Sequence, residues 1–152
     1  MHKELPSILA GVAGEYYVAA ELSRRGIVAS ISLRNTRGMD ILATNEEGSW
    51  TVTIQVKANQ KKNREWILGE KAEALVSDTH YYVFVNLGEI GERPEFHVVP
   101  SRVVAQTVKE SHQQWLSTPG RGGRSHVDNP MRKFEDRAGA YLERWDLLKF
   151  EA

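Results

Sequence analysis

The sequence predicts a single α/β domain, and three observations carry that reading. Apolar residues recur at three- and four-residue steps through the opening segment, two short runs alternate strictly about a turn, and an apolar stretch near the middle has the length of a buried strand. A chain of 152 residues can bury one core without covalent staples. Its hydrophobic fraction of 41% and charged fraction of 26% are those of an ordinary globular protein. With no cysteine, disulfides and thiolate metal sites are excluded. Met1-His2-Lys3-Glu4 has no apolar signal core and no run is long enough to span a bilayer, so a cytoplasmic location is expected. The formal charge is zero, from 20 basic and 20 acidic residues. Phosphate contacts usually come with a basic excess, so an argument for nucleic acid has to come from a site and not from composition.

The first element is a helix over about residues 5–25, stopped by Gly26 after Arg24 and Arg25. Its stripe reads Ile8, Val12, Ala19 and Leu22, with Leu9, Ala13, Tyr16 and Ala20 alongside. Residues 27–33 are β-branched and apolar, and predict a strand. Residues 38–44 and 50–58 predict two more, joined by Asn45-Glu46-Glu47-Gly48 as an antiparallel hairpin. A polar loop follows over 59–64, then a short helix over 69–77, a buried strand over 81–87, a turn, and a strand over 95–99. Residues 101–116 predict a helix capped by Ser101. After a loop over 117–130, rich in glycine and proline, a last helix is expected, with Asp128 or Asn129 as cap and Pro130 in its first turn. Its apolar stripe would be Met131, Phe134, Ala138, Tyr141, Trp145 and Leu148.

The functional prediction comes from face arguments. In the strand over 50–58, Trp50, Val52, Ile54, Val56 and Ala58 share one face, while Thr51, Thr53, Gln55 and Lys57 share the other. Folding the hairpin about its turn sets Asp40 within about one residue of Gln55, and matching the apolar faces puts Asp40, Gln55 and Lys57 on one side. Glu15 falls on the apolar stripe of the first helix, where a carboxylate needs a cation, a metal or hydrogen-bond donors. Hard oxygen ligands from Glu15, Asp40 and the Gln55 amide suit Mg²⁺ or Mn²⁺, with positions left for water and a phosphate oxygen. Lys57 would orient that water or stabilise charge on phosphorus.

Gly14-Glu15-Tyr16, Gly38-Met39-Asp40-Ile41 and Gln55-Val56-Lys57 resemble the PD-(D/E)XK nuclease superfamily, which includes type II restriction enzymes and archaeal Holliday junction resolvases. The resemblance implies a restriction endonuclease-like αβββαβ core, with a central mixed sheet flanked by helices. That core would take up about residues 5–99, and a C-terminal helical addition about 100–152, within one domain. It implies that Asp40 is the motif's aspartate, Lys57 its lysine, and Glu15 the helix glutamate of resolvase-like members. Gln55 departs from the pattern, since most members carry Asp or Glu there. The amide oxygen can still ligate, but one negative charge is lost and weaker metal affinity follows. More loosely, the whole chain resembles a group of short bacterial proteins of this superfamily.

Other features are weaker signals. Gly11-Val12-Ala13-Gly14 sits inside a helical pattern with no preceding strand, so helix packing explains its glycines better than a nucleotide loop does. His2, His80, His97, His112 and His126 show no metal-ligand spacing, and packing or edge positions account for His80 and His97. Lys61, Lys62 and Arg64 follow directly on Lys57, and Arg121, Arg124, Arg132 and Lys133 surround the glycine-rich loop near His126. Each group could contact phosphates or simply be a solvated surface. Arg34, Asn35 and Arg37 stand at the mouth of the predicted site, Arg37 as a phosphate contact.

The leading expectation is a Mg²⁺- or Mn²⁺-dependent endonuclease acting on DNA, with structured or repair-related DNA as the candidate substrate by analogy with the resolvases and RNA left open. The alternative is a nuclease-fold protein that holds nucleic acid or a protein partner without cutting, which Gln55 and the zero net charge favour. A third reading is a homodimer formed through the helix that carries Trp145, with the polar site as a remnant.

Overall fold

A computed structural model describes residues 4–32 and 38–150 of the protein. The predicted first helix is α1, Ser7–Arg24. It ends where Gly26 takes φ of +79°. Gly26 N–H donates to Ser23 O and Ile27 N–H to Leu22 O, each at 3.0 Å, a glycine-terminated cap that satisfies the last carbonyls. The face that packs is Ala10, Gly14, Val18, Glu21 and Leu22; of the predicted stripe Leu22 is buried and Ala19 packs against the core, while Ile8 is 67% exposed. Gly14 decides this rotation. A Cβ there would lie 3.0 Å from Ala58 Cβ and 3.4 Å from Val56 Cγ1, so the helix backbone approaches the sheet as only glycine permits.

Strands β1 (Val28–Ile31), β2 (Ile41–Thr44) and β3 (Thr51–Asn59) follow. Next come β4 (Glu65–Gly69), a 3₁₀ turn over Glu70–Glu73, β5 (His80–Asn86) and β6 (Glu95–Pro100). Helix α2 spans Ser101–Ser117 and β7 spans Met131–Glu135. The main sheet is mixed, in the order β1-β2-β3-β5-β6, with β3 and β5 parallel and the other pairs antiparallel. Every residue of β5 is buried, as befits a central strand covered on both faces. Tyr81, Val83 and Val85 face the α1 side together with Ile54 and Val56. Tyr82 and Phe84 face the other side, with Trp66, Val104, Val108 and Phe134. Among the described residues no helix is long and apolar enough to cross a membrane.

Three local expectations are corrected. The last segment is not a helix: Met131–Glu135 is a strand that pairs antiparallel with β4, matching Trp66 with Phe134 and Leu68 with Arg132. Its burial alternates, with Arg132 and Phe134 inward, so period two wins over the helical stripe. That stripe is divided between two cores, Phe134 on the α2 side, Trp145 and Leu148 on the α1 side in a 3₁₀ turn over Trp145–Leu148. Trp145 is 8% exposed, so it offers no helical face to a second copy. Asn129 serves a turn instead of a helix cap, its Oδ1 accepting from Met131 N–H at 3.0 Å. The helix expected over 69–77 shrinks to the 3₁₀ turn, because β4 takes Gly69 for its pairing with β7. Ser101 does not cap α2. Pro100 holds that position, and the Ser101 hydroxyl donates to Ser77 O and accepts from Ser77 N–H, tying the preceding loop to the helix.

Candidate functional site

The β2–β3 ladder pairs Ile41 with Ile54 and Thr44 with Thr51. Its apolar face is Ile41, Ala43, Val52, Ile54 and Val56, while Thr53, Gln55 and Lys57 are half-buried on the opposite face. Asp40 stands just before β2, next to Gln55, as the register argument requires. Its backbone N–H donates to Ile54 O at 2.9 Å. Its carboxylate Oδ2 accepts from Val56 N–H at 2.7 Å, so it replaces the backbone acceptor that a longer β2 would have supplied. The carboxylate is thereby fixed by the strand itself and not by a flexible side-chain partner.

Gly38 closes this end of the hairpin at φ of +63°. A Cβ at that position would come within 2.5 Å of Leu75 Cδ2, 3.7 Å of Gln55 Oε1 and 3.8 Å of His80 Nε2. Gln55, Lys57 and Tyr82 line a cavity of about 540 Å³, walled by Leu68, the 3₁₀ turn with Glu70 and Lys71, Leu75 and Pro130. Lys57 also borders a second groove of about 490 Å³, which continues past Gln60 and Lys61 between β3, β4 and Lys133. Lys57 therefore borders both depressions.

Sequence reasoning discounted His80, and the structure gives it a place beside the site. It pairs in parallel register with Thr53, while Tyr82 pairs with Gln55. Its ring is 6% exposed, meets Tyr82 edge-on at 5.5 Å, and shares a 2.7 Å hydrogen bond between Nδ1 and the Thr53 hydroxyl. Burial pushes its pKa down from 6.5, opposed in part by the Asp40 carboxylate and by the contact with Thr53. Only the parallel β3–β5 pairing brings it here, and no local pattern announces that pairing.

Glu15 lies on α1, one residue beyond Gly14. The helix packs on the Val56 and Ala58 face of β3, so Glu15 belongs to the layer behind Gln55 and Lys57. It is half-buried and has an interaction of its own. Arg34, Asn35, Arg37 and His2 lie outside the described residues. Among the described residues no group of three His, Cys, Asp or Glu side chains is arranged to hold a metal ion. The register places Asp40 beside Gln55, and their carboxylate and amide oxygens are hard donors carrying a single charge between them.

The basic residues divide. Lys61 is exposed along the groove, on a loop held by Gln60, whose amide accepts from Leu5 N–H at 2.8 Å and donates to Leu5 O at 2.9 Å. Lys62 has loose ion pairs with Glu89 and Glu92 at 3.7 and 3.8 Å. Arg64 is engaged with both Glu95 oxygens and donates to Arg137 O, so its charge serves the fold. Arg132 is buried against Glu73 at 2.5 Å. Arg121 and Arg124 are exposed in and just after a 3₁₀ turn over Arg121–Gly123, and Lys133 shares the Lys57 groove.

This architecture, a mixed five-stranded sheet flanked by helices, is a restriction endonuclease-like fold. The Holliday junction resolvase Hjc of the archaeal hyperthermophile Archaeoglobus fulgidus aligns over 93% of this chain and 98% of its own, at 17% identity and a TM-score of 0.51. The bacterial homing endonuclease I-Ssp6803I aligns over 96% of this chain and 94% of its own, at 17% identity and a TM-score of 0.54. No protein-family model and no curated protein sequence matches the chain.

Proposed function

We propose that the protein is a metal-dependent endonuclease that hydrolyses phosphodiester bonds in DNA. One observation carries this reading: the strand-anchored Asp40 carboxylate stands one position before the Ile41–Ile54 pair, next to Gln55, and Gln55 and Lys57 line a cavity while Lys57 also borders a groove with Lys61 and Lys133. The likeness in fold to a resolvase and a homing endonuclease supports it. Asp40 and Gln55 would hold a Mg²⁺ or Mn²⁺ ion, and Glu15 would act from the helix layer. Such an ion supplies polarisation of the phosphate and a more acidic water.

The chain's own groups would do the rest. Asp40 takes one carboxylate oxygen out of competition by binding Val56 N–H, which keeps the other aimed at a fixed point. Lys57 on the rigid β3 would hold a non-bridging phosphate oxygen or orient the attacking water, and would offset the charge that builds on phosphorus. Lys61 and Lys133 would position the backbone on either side without reading sequence, and Arg37, Lys62, Arg121 and Arg124 are further candidates for phosphate contact.

A second reading follows from Gln55. With one carboxylate fewer than the usual motif and a net charge of zero, the same surface could hold nucleic acid without cutting it. Labelled single-stranded, duplex and branched DNA, and the matching RNA, should be incubated with the protein and Mn²⁺ or Mg²⁺, comparing wild type with Lys57→Ala. Cutting that disappears in a folded Lys57→Ala protein supports the enzyme. Equal background in both, together with retention of the nucleic acid on a binding gel, favours the second reading.

A further inference from the structure

We propose that His80 Nε2 is a third ligand for the cation held by Asp40 and Gln55, making the site a mixed nitrogen and oxygen site that prefers Mn²⁺ to Mg²⁺. The inference rests on the metal-site reading above and deepens it. His80 is buried at the start of β5, and among the described residues its Nε2 has no hydrogen-bond partner. A buried ring nitrogen left in that state is costly, and native proteins rarely keep one without a water, an ion or a chemical task. The orphaned atom lies near Gly38 and the Gln55 amide. Nε2 and Gln55 Oε1 lie 3.8 and 3.7 Å from the point where a Gly38 Cβ would stand, so both border the same stretch of backbone. The Asp40 carboxylate is close enough to act on the ring electrostatically.

The other ring nitrogen supports the assignment. Nδ1 shares its 2.7 Å bond with the Thr53 hydroxyl. A hydroxyl that accepts from Nδ1–H fixes the tautomer whose lone pair lies on Nε2, the arrangement that orients histidine ligands in metal sites. The donor set also lacks something that the ring can supply. Asp40 and an amide give two oxygens and a single charge, and a neutral imidazole adds a third donor without needing another carboxylate. Imidazole nitrogen is a poor ligand for Mg²⁺ and an acceptable one for transition metals, hence the preference for Mn²⁺.

The test is Mn²⁺ titration of the full chain followed by electron spin resonance, with the electron spin echo read for nitrogen modulation. Bound Mn²⁺ should carry an imidazole nitrogen signal that changes when the protein is made with isotope-labelled histidine. The signal should vanish in His80→Gln, with Mn²⁺ affinity weaker by about tenfold or more. Thr53→Val keeps the ring and removes its partner, and should also weaken Mn²⁺ by about tenfold. This variant carries the test if His80→Gln does not fold, and unchanged affinity in it would count against the assignment. Mn²⁺ that binds without a nitrogen signal, or a signal that survives in folded His80→Gln, overturns the ligand while leaving the metal site standing. If wild type binds no Mn²⁺ at all, the metal-site reading itself fails.

Discussion

Two histidines enter the same sheet and both are buried, yet they sit in opposite situations. His97 on β6 is saturated. Its Nδ1 meets Asp136 Oδ2 at 2.7 Å and its Nε2 meets Glu95 Oε1 at 3.4 Å. Asp136 also accepts from Ala140 and Tyr141 N–H at 2.9 and 3.0 Å, and Glu95 is held by Arg64 and by Asn86. Among the described residues only Asn86 Oδ1 goes unmatched in that group. His80 on β5 has one nitrogen satisfied and, among the described residues, the other open, close to Gly38 and the Gln55 amide. A buried polar cluster whose valences are filled by the chain holds segments together. One that leaves an atom open is where a ligand is to be sought. By this criterion the His97 cluster anchors the C-terminal segment to the sheet, and the His80 end of the molecule is where we propose the site.

The comparison can be broken from either side. The largest stability loss should come from Asp136→Ala, which leaves His97 and two backbone N–H groups without their acceptor. A loss of about 3 kcal/mol is expected in urea unfolding, and a loss below about 1 kcal/mol would deny the cluster its anchoring role. Gly38→Ala should cost about 1–2 kcal/mol, because the residue adopts positive φ and its new methyl meets Leu75. A fully stable variant would mean that the approach to the site is looser than described.

Glu95 gives a smaller, pH-dependent effect. The Arg64 guanidinium, with help from Asn86 and His97, pulls its pKa from 4.5 to about 2. A carboxylate depressed in the folded state contributes stability above the unfolded value. That contribution is lost as pH falls from about 4.5 towards about 2. Arg64→Ala should flatten this part of the acid-unfolding curve and lower neutral-pH stability by less than about 1 kcal/mol, since the pair is partly solvated. An unchanged acid limb would show that Arg64 does not control Glu95.

The smallest stability change belongs to the site itself. Asp40→Asn keeps an oxygen for Val56 N–H, so the melting temperature without metal should hardly move. The rise that Mn²⁺ at about 100 times its Kd would produce in wild type, worth about 2.7 kcal/mol, should vanish. A variant that still responds to Mn²⁺ would remove Asp40 from the ligand set.

Much of this was readable along the chain. Helix α1 and its glycine stop, the hairpin with its register, and the sharing of one face of β3 by Gln55 and Lys57 all follow from period, turn chemistry and alternation over neighbouring residues. The buried β5 is likewise legible from its unbroken run of strand-forming residues. What tertiary structure decided is everything that depends on partners distant in sequence. The short run Met131–Glu135 satisfies a helical stripe and a strand alternation equally well, and only the edge offered by β4 chooses between them. Ser101 finds Ser77 and not its own helix, and α1 turns a different face inward because Gly14 allows close approach to Ala58. His80 reaches the site only through the parallel β3–β5 pairing. Local periodicity reports which face a residue shares with its neighbours, but the free energy that selects the opposing surface comes from contacts whose members carry no shared signal in the sequence.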